Sequence, residues 1–373
     1  MKHLELFQTA INDPHHYAQE LKKKKGKKQV GYLCSYTPEE IILAAGAHPI
    51  RLLGTKEAIR SADSHLQSYC CSLVRGVLEE GLSRRLDFLD GLVFPHTCDS
   101  IQRLSDIWRM NIPFGFHLDM VLPVKLNTES ARTYLSEVLE KFRRELGRAL
   151  EVEITEEALA EAIRIMQTIR GSLQALYTLK SQNPGLISGQ ELSALVRCSM
   201  ILDREDLAFL LPDIVREMNR KAEEAGRPSL KRVVLAGGLC NHPDIYPIIE
   251  KAGGAVVWDD LCTGSRTFAD SMREGLQPME SLTDRAFNRI VCPAKHRDLT
   301  GRAEHILRMV RENQARGVIF LLLKFCDPHA FDYPYLKKFL DDSGIPSLRL
   351  EVEDPLPSLG PMKTRLEAFL EML

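Results

Sequence analysis

The sequence has little of several features that mark common classes of protein. Its 373 residues carry 49 Lys and Arg against 51 Asp and Glu, so there is no excess of positive charge with which to bind nucleic acid. No apolar run is long enough to span a bilayer. The amino terminus also lacks the basic-then-apolar layout of a secretory signal. We therefore expect a cytoplasmic protein that binds neither nucleic acid nor a membrane.

Two short motifs are missing as well. The chain has no glycine-rich phosphate loop of the GxxxxGK[ST] type, so we do not expect it to bind ATP itself. It has no CxxC pair, which argues against a zinc ribbon, a zinc knuckle and a thioredoxin-type redox site. Hydrophobic residues make up 44% of the chain, which is typical of a globular protein. At this length two or three domains are expected.

What the chain does contain is nine cysteines. In a reducing compartment cysteines rarely form structural disulfides, so this number indicates metal or redox chemistry. A single cysteine is often only a small buried hydrophobic residue. The same explanation is less favourable here, because it would have to apply to most of the nine cysteines. The nine positions are Cys34, Cys70, Cys71, Cys98, Cys198, Cys240, Cys262, Cys292 and Cys326.

Several of these cysteines follow short apolar runs that read as buried strands. Such runs, each followed by a helical pattern, are typical of the parallel strands of an α/β sheet. In these sheets, sites are built at the carboxyl ends of the strands. The runs are residues 30–33 before Cys34, residues 92–94 before Cys98 and residues 318–323 before Cys326. The sequence therefore predicts that cysteines converge on the edge of a site.

The segment after Cys34 shows the local chemistry expected of such a position. Thr37 is predicted to be the N-cap of a helix, with Pro38 at its first position and Glu40 as the capping-box partner. The positive end of the helix dipole favours the thiolate form of Cys34. The thiolate is the form that binds iron.

The two ends of the chain read as variants of one pattern. In each, a strand, a helix, a strand, a cysteine-bearing loop, a helix and a final strand with its cysteine follow in the same order. The predicted fold is α/β, with two similar parallel-sheet (flavodoxin-like) domains joined by a helical segment. The repeat pairs Cys34 with Cys240, Cys71 with Cys292, and Cys98 with Cys326. The predicted domains are residues 1–130, which include an N-terminal helix, and residues 229–373, with the helical segment at residues 131–228.

Capping signals predict three helices in the connecting segment. They begin at Thr155, at Ser188 with a capping box to Glu191, and at Asp203, and residues 183–185 separate the first from the second. Cys198 lies within the second of these helices and is interpreted as core packing. The lysines at 22–25 and 27–28 are expected to end a solvated helix.

Longer motifs carry a resemblance to a known family. The segment GYLCSYTPEEIILAAGAHPIRLLG, followed by CSLVRG, FPHTCDS, DDLCTG and KFCDP, resembles the 2-hydroxyacyl-CoA dehydratase D-component/benzoyl-CoA reductase family. The resemblance covers nearly the whole chain, from about Gly31 to Asp327. Within that family, the CPAKH motif and the arrangement of six cysteines are most similar to the double-cubane cluster proteins.

The resemblance implies a function, a cofactor and partners. The chain is expected to be an iron–sulfur reductase component and a homodimer that holds a double-cubane [8Fe–9S] cluster. It would take low-potential electrons from an ATP-hydrolysing iron–sulfur activator and reduce a small molecule. The alternative is a 2-hydroxyacyl-CoA dehydratase or benzoyl-CoA reductase-type subunit with one [4Fe–4S] cluster and a different partner subunit. A non-enzymatic electron carrier or cluster-storage protein is an alternative of another class. A cysteine-nucleophile hydrolase is less favoured, because no cysteine with a convergent His and Asp stands out.

The resemblance also implies a ligand set. Its motifs assign Cys34, Cys71 and Cys98 to one cubane, and Cys262, Cys292 and Cys326 to the second. Two choices stay open: the internal repeat favours Cys240 over Cys262, and Cys70 stands beside Cys71, which the CxxxR spacing favours. Five residues near these motifs are candidates to donate protons or hydrogen bonds, but none is assigned a catalytic role: Arg75, His96, His117, Arg266 and His296.

Overall fold

The structure is a computed structural model of the chain. It describes residues 4–55, 57–224, 226, 229–241, 245–269, 272–273, 275–289, 292–298, 300–353 and 358–373. Within those ranges, every helix is too short or too polar to cross a membrane.

Helices and parallel strands alternate through most of the described chain. The helices are α1 (Leu4–Asn12), α2 (Pro14–Lys25), α3 (Glu39–Ala44), α4 (Ser72–Leu82), α5 (Asp99–Asn111), α6 (Glu129–Leu150), α7 (Glu156–Gln182), α8 (Gly189–Cys198), α9 (Arg204–Glu224), α10 (Ile245–Lys251), α11 (Pro278–Asn288), α12 (Gly301–Glu312), α13 (Asp327–Asp342) and α14 (Gly360–Met372). The strands are β1 (Gln29–Tyr32), β2 (His48–Arg51), β3 (Gly91–Pro95), β4 (Phe116–Met120), β5 (Lys231–Gly237), β6 (Gly254–Asp260), β7 (Gly317–Leu323) and β8 (Ser347–Val352).

The described strands form two four-stranded sheets with the same topology. The first has the order β2-β1-β3-β4 and the second has the order β6-β5-β7-β8. All neighbouring strands in both sheets are parallel. This order, in which the first strand lies between the second and the third, is that of flavodoxin-like sheets. The prediction of two similar parallel α/β folds is confirmed, and helices α6 to α9 occupy the predicted helical segment.

The chain divides into two compact units, each drawn from separate stretches of sequence. Unit 1 comprises Met1–Ile169, Cys198–Ala208 and Asp270–Asp298. Unit 2 comprises Arg170–Arg197, Phe209–Ala269 and Leu299–Leu373. The units therefore interleave along the sequence, whereas the boundaries expected at residues 130 and 228 separate consecutive segments. Those boundaries stay a prediction.

Each unit has its own apolar core against its sheet. In unit 1 the core joins β1, β3 and β4 to α6 and α11, with fully buried side chains such as Val30, Val93 and Phe142. In unit 2 it joins β5 and β7 to α12 and α13, with Val234, Phe320 and Ile306 at its centre. The central strands β3 and β7 are buried along their whole length, as expected for a parallel sheet covered on both faces.

Most of the predicted helix starts are confirmed. Ser188 and Glu191 form a reciprocal capping box, with N–H to oxygen distances of 2.9 and 3.1 Å. Thr155 Oγ1 accepts from the amide of Ala158 at 3.2 Å, and Asp203 Oδ1 accepts from that of Asp206 at 3.2 Å. Cys198 is fully buried, as the packing interpretation predicted.

The capping box predicted after Cys34 is wrong. The N-cap of α3 is Pro38, and no side chain caps this helix. The amide of Thr37 donates to the carbonyl of Cys34 at 2.9 Å, which closes a turn and delays the start of the helix. Since α3 has only six residues, it offers Cys34 little of the dipole expected for it.

Most of the lysine run is exposed, as expected, but two of its lysines also have a buried acidic partner. The run ends a helix, α2, and Lys25 and Lys27 both reach the buried carboxylate of Asp203, at 3.1 and 2.9 Å. Burial would raise the pKa of Asp203, but the two lysines outweigh it and the pKa falls to about 2. These lysines therefore attach the segment before β1 to the start of α9 within unit 1.

Candidate functional site

In both sheets, cysteines follow the two neighbouring strands between which the strand order reverses. In sheet 1 this switch point lies between β1 and β3, which are followed by Cys34 and Cys98. In sheet 2 it lies between β5 and β7, which are followed by Cys240 and Cys326. Ligands of open parallel sheets bind outside the carboxyl ends of the strands at this point. The strand order thus places thiols at the binding edge of each sheet.

Four of the predicted ligands lie in unit 1. Cys34, Cys71 and Cys292 are all close enough to raise the pKa of Cys98, and we call these four residues the unit 1 cysteine group. Cys34 and Cys292 also pack against the same apolar core. Cys70, beside Cys71 in the chain, adds to the rise in the pKa of Cys71, and its thiol lies 3.9 Å from Gln67 Oε1.

Two members of the group stand at the amino-terminal ends of helices. Cys71 is the N-cap of α4 and Cys98 is the N-cap of α5. Burial raises the pKa of the Cys98 thiol to about 12, and the other three thiols add to this effect. Burial also raises the pKa of Cys71, while amides in the first turn of α4 act in the opposite direction. Because both thiols are buried beside other thiols, both resist ionisation.

Helix α4 carries a buried carboxyl further along, and it leads to a prediction about pH. Glu80 is 5% exposed, and burial raises its pKa from 4.5 to about 7. A raised pKa means that the neutral form stabilises the fold below pH 4.5, and that this contribution is lost as the pH rises through 7. Glu80→Gln stays neutral, so at pH 8 we expect it to be more stable than the natural chain by about 3 kcal/mol.

Urea unfolding at pH 4.5, 6 and 8 measures this difference. Glu137→Gln, at an exposed position of α6, is the control and should show no such pH trend. Equal stability of Glu80→Gln and the natural chain at all three pH values would contradict the prediction.

Unit 1 also contains a buried lysine that the sequence did not single out. Lys295 is 1% exposed and belongs to the CPAKH motif. Its Nζ donates to the carbonyls of His96 at 3.3 Å and Leu122 at 3.2 Å. Burial lowers the pKa of Lys295, and the neighbouring Cys34, Cys292 and Cys98 raise it, with burial the larger effect. The motif marked the cysteine, but nothing in its letters indicates that the lysine points inward.

The loop that begins with Cys34 is attached to the segment before Cys292. The guanidinium of Arg289 lies 4.3 Å from the ring centre of Tyr36 and donates to the carbonyl and hydroxyl oxygens of Ser35. This stacked, buried guanidinium holds the Cys34 loop against the segment before Cys292. Arg289, too, was missed, because its partners lie about 250 residues earlier in the sequence.

Three of the four predicted proton donors of unit 1 have side chains engaged in structural pairs. His96 Nε2 lies 2.8 Å from Asp119 Oδ1, and His117 Nε2 lies 3.3 Å from Oδ2 of the same carboxylate. Arg75 pairs with Asp63 at 2.8 Å. His296 donates its amide to the carbonyl of Val124 at 2.8 Å. Of these residues, His96 is the one closest along the chain to a predicted ligand, and Asp119 fixes the orientation of its ring.

In unit 2, Cys262 is the cysteine attached to a buried network of charges. Arg266 Nη1 lies 3.4 Å from the Sγ of Cys262. The rest of the same guanidinium makes two contacts of 2.6 Å with Asp260, which is fully buried at the end of β6. Arg302 Nη2 contacts this carboxylate at 3.2 Å, and its Nε contacts Asp332 at 2.6 Å. The network presents a cationic hydrogen-bond donor to the thiol.

The loop that carries Cys262 is held by its neighbours in unit 2. Asp259 accepts from the amide of Ser265 at 2.8 Å and from the hydroxyl of Tyr177 at 2.5 Å. A Cβ at Gly264 would lie 2.0 Å from Asp259 Oδ1, so only glycine fits there. Thr263 Oγ1 accepts from the amide of Cys240 at 3.0 Å, which links the two cysteine-bearing loops.

Cys240 and Cys262, the rivals for one ligand position, have different surroundings. Cys240 is 3% exposed. Burial raises the pKa values of the neighbouring Tyr177 and Tyr246, and Cys240 lies close enough to add to this rise. Cys262 is partly exposed, as is Cys326, which is the N-cap of α13. Cys262 is therefore the more accessible of the two rival cysteines.

The donor set fits an iron–sulfur cluster. Soft thiols select iron–sulfur clusters, and those of unit 1 lie where the sheet places ligands. The thiolate is the form that binds iron, and bound iron would supply positive charge that favours ionisation of these thiols. Among the described residues, no three His, Cys, Asp or Glu side chains converge as ligands of one metal ion. A cubane does not need this, because each cysteine binds a different iron.

Comparison with known proteins identifies the family. Residues 34–373 match the family described as the 2-hydroxyglutaryl-CoA dehydratase D-component, and the chain belongs to it. It is therefore an enzyme component of the dehydratase and reductase type, as the sequence motifs indicated.

Three curated relatives align along nearly their whole lengths. The chain is 27% identical to the (R)-phenyllactyl-CoA dehydratase beta subunit of Clostridium sporogenes, over 98% of this chain and 97% of that one. It is 28% identical to a benzoyl-CoA reductase subunit of Thauera aromatica, over 93% and 91% of the two chains. It is 28% identical to the beta subunit of the (R)-2-hydroxyglutaryl-CoA dehydratase of Acidaminococcus fermentans, over 94% of each.

Proposed function

We propose that this chain is an iron–sulfur reductase component that reduces a small molecule at a double-cubane [8Fe–9S] cluster. It takes low-potential electrons from an ATP-hydrolysing iron–sulfur activator and works as a cytoplasmic homodimer. The ligands are Cys34, Cys71, Cys98, Cys262, Cys292 and Cys326. The observation that carries the proposal is the unit 1 cysteine group, which lies at the switch point of a flavodoxin-like sheet.

The second unit supports the proposal independently. Its sheet repeats the strand order of the first, and Cys326 follows β7 as Cys98 follows β3. Cys262 accepts a hydrogen bond from a guanidinium that is itself fixed by a buried carboxylate. Donors of this kind near cluster sulfurs tune the reduction potential. With Cys262 and Cys326 from this unit the proposed ligands number six, three for each of two cubanes.

The bound cluster would supply low-potential electrons and, with three thiolates per cubane, an iron free for a bridge or a substrate. The protein's own residues provide the surroundings. Cys71 and Cys98 are the N-caps of α4 and α5, and backbone amides of the first turn of each helix favour the ionised thiol. Asp119 holds the imidazole of His96 by Nε2 beside the Cys98 loop. The apolar core of unit 1 covers Cys34 and Cys292 and limits the access of water.

The relatives favour a second candidate function. Each is named as one subunit of an acyl-CoA dehydratase or of benzoyl-CoA reductase, which suits a chain with a single [4Fe–4S] cluster and a different partner subunit. A carrier or storage protein is the third possibility. The three possibilities differ in the iron content that they predict and in whether they need a partner protein.

Iron and acid-labile sulfide in anaerobically purified protein test the proposal. We expect about eight irons per chain for the double cubane and about four for the single-cluster subunit. Absence of iron after strictly anaerobic work would contradict both. Native mass spectrometry then distinguishes a homodimer from a chain that needs another subunit. Reduction of a small acceptor that requires both the activator and ATP separates an enzyme from a storage protein.

A further inference from the structure

We propose that Lys295 is a positioning residue whose buried ammonium sets the reduction potential of a cluster bound by the unit 1 cysteine group. This inference rests on the proposed function, because it assumes that these cysteines hold iron. It concerns a residue that contacts backbone around the cluster ligands and carries the opposite charge to their thiolates.

The contacts of Lys295 fix its ammonium in place. Two backbone carbonyls accept from Nζ, that of His96 at 3.3 Å and that of Leu122 at 3.2 Å. His96 stands two residues before Cys98, and the amide of Lys295 itself donates to the carbonyl of Cys292 at 2.9 Å. One side chain thus connects the loops that carry two predicted ligands. Carbonyl oxygens are acceptors, so both contacts favour the charged ammonium.

The lysine end of the interaction with the cysteines is shielded from water, while the three thiols concerned are partly exposed. The side chain is 1% exposed, and Cys34, Cys98 and Cys292 are all within electrostatic reach of it. Interactions between charges are several times stronger at a buried position than in water. A lysine in this place offsets part of the negative charge that three or four thiolates bring.

The direction of the effect follows from the sign of the charges. Reduction adds an electron to the cluster, so a nearby positive charge stabilises the reduced form. Removing that charge makes the cluster harder to reduce. For Lys295→Met we expect the reduction equilibrium to shift at least tenfold toward the oxidised form, which is about 59 mV for one electron.

The experiment is an anaerobic potentiometric titration followed by electron paramagnetic resonance. It compares the holoprotein with Lys295→Met, Lys295→Arg and Lys180→Met. Lys180 is the matched control: it is also 1% exposed, and its Nζ also donates to two carbonyls, those of Pro184 and Ile187, at 2.6 Å. Its charged neighbours are Glu250 and Glu191 rather than cysteines.

We expect Lys295→Met to lower the reduction potential of the cluster. In Lys295→Arg and Lys180→Met, the equilibrium constant for reduction should stay within threefold of that of the natural protein. Loss of iron from Lys295→Met, which also removes both hydrogen bonds to carbonyls, would overturn the proposal, because the lysine would then hold the loops together and not set the potential. A potential unchanged in Lys295→Met would also overturn it. So would an equal shift in Lys180→Met or in Lys295→Arg. Iron-free natural protein would instead contradict the proposed function.

Discussion

Cys292→Ser is expected to lose about half of the iron, falling from about eight to about four atoms per chain. The Cys292 thiol lies close enough to Cys98 to raise its pKa, as do the thiols of Cys34 and Cys71. Cys292 also packs against the core of unit 1. A serine hydroxyl is a harder and weaker donor for iron than a thiolate, so a cubane that depends on this ligand should not survive purification. The measurement is iron and sulfide per chain after anaerobic isolation.

Cys198→Ser is the control for this prediction. Cys198 is equally a cysteine of unit 1, but it is fully buried and its thiol contacts the carbonyl of Phe7 at 3.7 Å. We expect it to keep all of the iron. Full iron content in Cys292→Ser would favour the single-cluster subunit. The paired variants Cys70→Ser and Cys240→Ser test the two open ligand choices, and both should retain iron if Cys71 and Cys262 are the ligands.

Asp260→Asn is expected to cost about 3–5 kcal/mol of the free energy of unfolding. Asp260 is fully buried between Arg266 and Arg302, so the amide would leave two guanidinium groups without their shared negative partner. The same variant should also loosen the contact between Arg266 and Cys262. Urea unfolding of unit 2, followed by the fluorescence of Trp258, measures the change.

The effect of Asp260 also depends on pH. Burial alone would raise its pKa, but Arg266 and Arg302 outweigh burial and hold the pKa below the ordinary 3.8. A lowered pKa gives stability that is present above pH 3.8 and is lost as the pH falls further. The natural chain and Asp260→Asn should therefore converge only in strong acid. Asp341→Asn, which removes an exposed pair with Lys337, should change stability by less than about 1 kcal/mol.

Local patterns of the sequence predicted much of this fold. The apolar runs at residues 92–94 and 318–323 lie in β3 and β7, and the signals at Thr155, Ser188 and Asp203 cap helices where expected. These features depend on a few adjacent residues, so the sequence contains them fully. The second copy of the repeat also predicts a helix from Pro243 to Gly253; α10 covers Ile245–Lys251, and Pro243 itself lies outside the described residues.

What the sequence did not reveal depends on contacts between distant segments. The order of elements in the internal repeat paired Cys292 with Cys71 as members of two domains, yet residues 270–298 fold into the unit that also holds Cys71. The burial of Lys295 depends on carbonyls about 170 and 200 residues earlier in the chain. The lysines at 25 and 27 find acidic partners near residue 203. Periodicity and capping signals carry no information about such pairs.

The interleaving of the two units has a consequence for the order of events during synthesis. Amino-terminal parts of a protein usually fold first as the ribosome releases them. Unit 1, however, needs residues 270–298 before its core is complete. A nascent chain therefore presents Cys34, Cys71 and Cys98 long before Cys292 exists. We expect the fourth thiol of the group to arrive last, so that stable insertion of iron into unit 1 waits until most of the chain has been translated.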